Sequence, residues 1–203
     1  AKTLTIVISD IKGYTERQSR SSRAEIQAHL LRHHGLLAPI FTAFGGRIVK
    51  SMGDAFLVVF ESPTDAVLAS VQVQQALAVE NARTPDPEDA LLVRIAISTG
   101  EVSVDPSGDV FGEPVNLAAR LEGIAEAGTI YLTETTFLSM NRNEIPAFEV
   151  GLRVFKGIAG EVKVYRILDE FVSNARVLSI DEIRRIARGA TTVVPTTDGT
   201  RGG

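Results

Sequence analysis

Arg47-Ile48-Val49-Lys50-Ser51-Met52-Gly53-Asp54-Ala55-Phe56-Leu57-Val58-Val59-Phe60 decides the fold class. Two short apolar runs, Arg47 to Lys50 and Ala55 to Phe60, flank the turn Ser51-Met52-Gly53-Asp54, and the pattern reads as a β-hairpin with charge on both shoulders. A hairpin makes antiparallel neighbours, whereas a doubly wound sheet needs a long crossover after each strand. Upstream, apolar residues at Ile26, Leu30, Leu37, Phe41 and Phe44 predict a core-packing helix over Arg23 to Phe44, bent near Pro39 and closed by Gly45-Gly46. Before it, Thr3 to Ser9 predicts a buried strand that ends on Asp10. Downstream, Ser62-Pro63-Thr64-Asp65 combines a cap residue, a first-turn proline and an acid, so a helix should run to about Asn81.

The second half repeats this alternation. Leu91 to Ser98 predicts a strand, Gly100 a turn, Glu101 to Val104 a returning strand, and Asp105-Pro106-Ser107-Gly108 a turn-rich tip. A helix is expected from Glu113 to Ala125, a strand from Thr129 to Leu132 and a short capped helix from Thr133 to Met140. Two last strands lie near Phe148 to Phe155 and Val162 to Ile167. The order predicts an α+β protein, a mixed and mostly antiparallel sheet with helices on one face. After Asp169 the character changes: Ser179-Ile180-Asp181-Glu182 is a capping box opening a short helix with Ile183 and Ile186 on one side, which Gly189 can close. The expected organisation is therefore a main domain over 1–168, an extension with a short helix over 169–189, and a Thr-, Pro- and Gly-rich disordered tail or linker over 190–203.

Composition narrows the function. The 203 residues are 44% apolar, enough for one sizeable core, and the net charge of −4 is spread without blocks of like sign. That lacks the basic footprint of a general nucleic-acid binder. The absence of cysteine removes disulfides, thiolate metal sites and a cysteine nucleophile, and fits a cytoplasmic setting. No run approaches a membrane span and no signal peptide precedes the first strand. The start at Ala1 without a methionine fits a cytoplasmic piece of a longer parent with its own regulatory domain.

Three segments hold the chemically interesting groups: Ser9-Asp10-Ile11-Lys12-Gly13-Tyr14-Thr15, Lys50-Ser51-Met52-Gly53-Asp54-Ala55-Phe56, and Asp109-Val110-Phe111-Gly112-Glu113-Pro114-Val115-Asn116-Leu117-Ala118-Ala119-Arg120. Asp10 at a strand end and Asp54 in a hairpin turn would form two hard oxygen ligands for Mg²⁺ or Mn²⁺ if their strands are neighbours. Gly13 and the N–H groups after it resemble an anion cradle, with Thr15 as an extra donor. Asn116 and Arg120, spaced i, i+4, share one helix face. Each feature alone also fits ordinary turn or surface chemistry. His29 and His33 have ligand spacing, but without cysteine or a third ligand they read as surface or groove-packing residues.

In this order and spacing the three segments resemble the signature blocks of class III adenylyl and guanylyl cyclases, over roughly residues 3–168. The resemblance implies a ferredoxin-like cyclase homology domain. It implies Asp10 and Asp54 as the aspartates that bind two ions, Mg²⁺ or Mn²⁺, with the Ile11 carbonyl nearby, and Gly13, Tyr14 and Thr15 around the phosphates. It implies Lys50 and Asp109 as base-selecting residues, Asn116 and Arg120 as the catalytic pair, and Lys156, in Phe155-Lys156-Gly157, as a terminal-phosphate contact by a shorter match. Ile8 and Tyr14 stand where the family commonly has phenylalanine, and both keep an apolar or aromatic body in place. The family's site is shared across a head-to-tail dimer, so one chain holding both sets implies a homodimer with two composite sites. The implied activity is conversion of ATP to 3′,5′-cyclic AMP and pyrophosphate in signal transduction, because adenine's N6 donor and N1 acceptor complement Asp109 and Lys50. A guanylyl cyclase or a catalytically silent module of the same fold are the alternatives. A diguanylate cyclase is disfavoured because its acidic Gly-Gly-Asp/Glu-Glu-Phe hairpin is absent.

Overall fold

The computed structural model describes residues 1–188, so the expected cap at Gly189 and tail over 190–203 lie outside the described residues. Strands β1 (Lys2–Ile11), β2 (Arg47–Met52), β3 (Ala55–Phe60), β4 (Val93–Val104), β6 (Ile130–Thr133), β7 (Ala147–Val154) and β8 (Glu161–Ile167) form one sheet in the order β2-β3-β1-β4-β6-β8-β7, and the short β5 (Val110–Phe111) pairs with β4. Every pairing is antiparallel except β4 with β6, which is the mixed α+β sheet that the hairpin predicted. Helices α1 (Tyr14–Arg20), α2 (Arg23–Ala43), α3 (Pro63–Arg83), α4 (Glu113–Glu122), α5 (Glu134–Ser139), α6 (Asp169–Asn174) and α7 (Ile180–Ala187), with a short 3-10 helix at Pro87–Asp89, complete the described residues.

Strand parity splits the core in two. Val7, Ile11, Phe56, Val58, Phe60, Val93, Ile95 and Ile97 pack with α2 and α3, while Leu4, Ile6, Leu57, Val59 and Val102 pack with Ala118 of α4 on the opposite side. The expectation of helices on one face is thus corrected: α4 covers the second face, because Leu117, Ala118 and Leu121 form a buried stripe that needs an apolar partner.

A second correction concerns Gly100. No turn occurs there; β4 pairs without interruption with β1 from Ile11↔Val93 to Lys2↔Val102. Gly100 is instead a point of close approach, since a Cβ built on it would lie 2.7 Å from Cγ of Pro114 in the first turn of α4. The missing side chain is what lets α4 descend onto the sheet.

The helix ends follow the local chemistry. Ser62 accepts from Asp65 N–H at 3.1 Å to start α3, and Ser22 and Ser179 open α2 and α7 with capping boxes. α2 runs through Pro39 as a single helix. The segment after Asp169 is packed into the main core: Val172, Ala175, Leu178 and Ile183 belong to the α2/α3 cluster. Gln72 of α3 clamps it by donating to Arg176 O and accepting from Leu178 N–H, both at 3.0 Å. No helix among the described residues is long and apolar enough to cross a membrane.

Candidate active site

Adjacent antiparallel pairing of β1 with both β3 and β4 brings the first two signature segments together. Asp10 is the penultimate residue of β1, and the main-chain N–H of Ile11 donates to Oδ2 of Asp54 at 2.8 Å. The link fixes the β2–β3 turn against the end of β1. Burial raises the Asp54 carboxyl above its ordinary value, and the charge of Asp10 adds to that rise against the Ile11 hydrogen bond. Two carboxylates that repel one another in a half-buried corner form a hard-oxygen site with a shortage of positive charge, which suits Mg²⁺ or Mn²⁺. Among the described residues no three His, Cys, Asp or Glu side chains gather into a metal-binding group, so Asp10, Asp54 and main-chain oxygen are the ligands this corner could offer.

Gly13, with φ +74°, is the N-cap of α1, and no side chain caps that helix. A left-handed residue at this point turns the chain from β1 into α1 across only Lys12 and Gly13, and leaves first-turn N–H groups without helical acceptors. α1 is held by Arg17, whose guanidinium meets the Glu88 carbonyl and Oδ1 of Asp89, the latter at 2.5 Å. Tyr14 is half-buried against the core, and its ring lies over the turn glycine, where a Cβ on Gly53 would sit 3.6 Å from it. Thr15 is exposed.

The third signature segment meets the second at a different place. Lys50 pairs across the hairpin with Leu57, so its side chain rises on the α4 face. There its ammonium donates to both carboxylate oxygens of Asp109, at 3.0 and 2.9 Å. That contact, with a further hydrogen bond from Val110 N–H, holds the Asp109 carboxyl below its ordinary value. Asn116 and Arg120 are both exposed on α4. Their side chains, like that of Lys156 in the turn between β7 and β8, make no hydrogen bond or ion pair among the described residues. Asn116 and Arg120 stand away from the buried stripe of α4, on its exposed side, and make no contact with Asp10 or Asp54 within one chain.

Two groups that the sequence reading passed over complete the corner around Asp10 and Asp54. Arg94 on β4 faces Asp10 in register and grips it at two points, Nε to Oδ1 at 2.9 Å and Nη2 to Oδ2 at 2.8 Å. Glu122, the last residue of α4, places Oε1 2.8 Å from Nε of Arg94. Burial, followed by the neighbouring Asp10 carboxyl, pushes Glu122 up to about 8. Both had a signal: Arg94 interrupts an apolar strand, and Glu122 lies one helical turn after Ala118 on the buried stripe.

The histidines prove to be packing residues. His29 and His33 are buried, and His33 stacks on Phe56 with centroids 5.4 Å apart. Burial lowers His33 to about 3, so it is neutral at ordinary pH.

The model of the adenylate and guanylate cyclase catalytic domain matches residues 1–169. The serine/threonine-protein kinase pkn2 of Myxococcus xanthus is 38% identical over 165 residues, covering 81% of this chain and 20% of that protein. The putative adenylate cyclase 3 of Rhizobium meliloti is 29% identical over 161 residues, covering 79% of this chain and 27% of that protein. Among solved structures, the adenylyl cyclase CyaB from P. aeruginosa superimposes with a TM-score of 0.73 at 25% identity, covering 88% of this chain and 97% of that one. The match thus spans only about a fifth to a quarter of the two curated relatives. With its fold, its three signature segments and the match over residues 1–169, the chain belongs to the adenylate and guanylate cyclase catalytic domain family.

Proposed function

We propose that this domain is an adenylyl cyclase that forms cyclic AMP and pyrophosphate from ATP at two composite sites of a homodimer. The observation that carries the choice of substrate is the Lys50–Asp109 pair, already assembled at 2.9 Å on the α4 face. An ammonium donor beside a carboxylate acceptor matches N1 and the N6 amino group of adenine. Guanine presents an O6 acceptor and an N1 donor there, which would leave Asp109 facing an acceptor or Lys50 a donor.

Asp10, Asp54 and the Ile11 carbonyl would hold two ions, Mg²⁺ or Mn²⁺. When bound, these would acidify the ribose 3′-hydroxyl and neutralise the phosphates. First-turn N–H groups of α1 after Gly13, with Tyr14 and Thr15, would cradle the phosphates, and Arg94 and Lys156 would add cationic contacts to them. Asn116 would orient the ribose so that its 3′-oxygen attacks the α-phosphorus in line as the bond to pyrophosphate breaks. Arg120 would meet the charge that develops on the α-phosphoryl oxygens.

The two faces of α4 support the dimer. Glu122 points toward Asp10 from the buried side, while Asn116 and Arg120 point to solvent, so the pair could reach a metal corner only on a second copy. The cytoplasmic setting and a regulatory domain in a longer parent belong to the same proposal.

The test is product identification from ATP and GTP side by side under Mn²⁺ and Mg²⁺. Cyclic AMP as the dominant product is expected. Cyclic GMP instead would overturn the base argument, and no product from a dimeric preparation would favour a silent module. Mixing inactive Asp54→Ala and inactive Asn116→Ala chains should restore activity through one intact composite site. Inactivity of proven heterodimers would count against the shared site.

A further inference from the structure

We propose that Glu122 is a positioning residue that receives the Arg94 guanidinium when a cation takes Asp10. The inference rests on the reading of Asp10 and Asp54 as metal ligands. In the structure both oxygens of Asp10 are covered by Arg94, through contacts of 2.9 and 2.8 Å. Oδ2 of Asp54 accepts from Ile11 N–H. Each oxygen of Asp10 thus already accepts one guanidinium hydrogen, so a divalent ion arriving at this carboxylate competes with Arg94 for it.

Glu122 is the acceptor placed for that movement. Its side chain is only 12% exposed and its Oε1 lies 2.8 Å from Arg94 Nε. The single Nε hydrogen is directed to Asp10, which leaves Oε1 of Glu122 buried without a donor. Asp10 thus takes the hydrogen that Glu122 would otherwise receive, and Oε1 of Glu122 stays 2.8 Å from Nε without a hydrogen bond from it. A small rotation of the guanidinium exchanges one carboxylate for the other. Asp10 is then free for the ion, Glu122 becomes satisfied, and Arg94 stays at the edge of the site, where phosphate charge arrives. Glu122 touches neither substrate nor ion in this scheme and acts through Arg94.

The experiment measures binding rather than turnover. Mn²⁺ is titrated into the purified chain with 3′-deoxy-ATP, which lacks the attacking hydroxyl, and free Mn²⁺ is read by electron paramagnetic resonance. Glu122→Gln preserves shape and should weaken Mn²⁺ binding about tenfold, the lower end of what loss of an outer-sphere partner costs. Its metal-free melting temperature should be unchanged or higher, since the lost oxygen has no donor. In an Arg94→Ala background, where no guanidinium needs a second acceptor, the same change should alter binding by less than about twofold. Persistence of the tenfold loss in that background would reduce Glu122 to simple charge attraction and overturn the proposal. Equal Mn²⁺ binding by wild type and Glu122→Gln would overturn it alone. Failure of the wild type to bind more Mn²⁺ than Asp54→Ala would overturn the metal-site reading and the proposal together.

Discussion

Gly100→Ala probes how tightly the fold sets α4, the helix proposed to carry Asn116 and Arg120 to the substrate. The glycine does not have a positive φ, so alanine suits the backbone and should gain a fraction of a kcal/mol in a strand, by the usual penalty of about 0.5–1 kcal/mol for glycine. The new methyl would meet Pro114 Cγ at 2.7 Å, whereas carbon atoms in contact settle near ~3.5–4.0 Å. Either β4 or α4 must therefore give by about 1 Å. The proline ring is bonded to its own backbone nitrogen, so it cannot turn aside as a flexible side chain would. β4 is held by β1 at Gly100 itself, opposite Leu4, and by β6 a few residues earlier, at Ile95 to Ile97, which leaves α4 to move. Overpacking of this kind costs about 1–3 kcal/mol, within what a domain of typical stability survives. Asn116 and Arg120 travel with the helix, and a displacement of about 1 Å at positioned groups costs on the order of a hundredfold in rate. Denaturant unfolding should thus show a folded, modestly destabilised protein, while cyclic AMP formation falls in kcat far more than in stability. Pro114→Ala on the same chain removes the ring and should restore most of the loss. Wild-type kcat for Gly100→Ala, or a defect that Pro114→Ala leaves untouched, would refute the reasoning.

Lys50→Glu sets two carboxylates against each other at the Lys50–Asp109 contact and should lower kcat/KM for ATP roughly 10–100-fold, by the penalty for an unpaired polar group at a specificity contact; unchanged ATP kinetics would remove the base-selection argument. The raised Glu122 makes a pH prediction for the metal-free protein. Its folded value of about 8 lies above the ordinary 4.5, so the folded state holds the extra proton and this contribution to stability falls as pH rises through that window; buried His29 and His33 act in the opposite sense below their ordinary value of 6.5, so the net decline is expected between about pH 6.5 and 8. Thermal unfolding in chelator at stepped pH should show this decline, and Glu122→Gln should flatten it; a wild-type curve flat from about pH 6.5 to 8 would contradict the assignment. Ile183, 1% exposed in the α2/α3 core, should cost about 2–5 kcal/mol when changed to alanine, whereas in a mere linker the change would stay within about 0.5 kcal/mol in denaturant unfolding.

What the sequence made legible was local. The hairpin over 47–60, the cap at Ser62 and the strand ending on Asp10 are set by neighbouring residues, and the structure keeps them. Gly100 was misread because a glycine between two apolar runs has the same signature whether it turns the chain or admits a neighbour. Only the non-local position of Pro114 tells these apart. The missed partners follow the same logic. A strand such as Leu91 to Ser98 predicts which face Arg94 occupies, but not that Asp10 sits opposite, since that depends on the pairing of β1 with β4. Glu122 carries a stronger hint. An acid one turn beyond Ala118 and beside Leu121, on the stripe that α4 must bury, requires a partner, because a buried carboxylate is costly alone. The arginine on an otherwise apolar strand is the natural candidate, and Asp10 then competes with Glu122 for one guanidinium. Three carboxylates against one arginine is an arrangement that metal-free chemistry satisfies only by holding a proton, as Glu122 does at about 8. Divalent cations held by Asp10 and Asp54, as proposed above, would relieve the same imbalance without that proton.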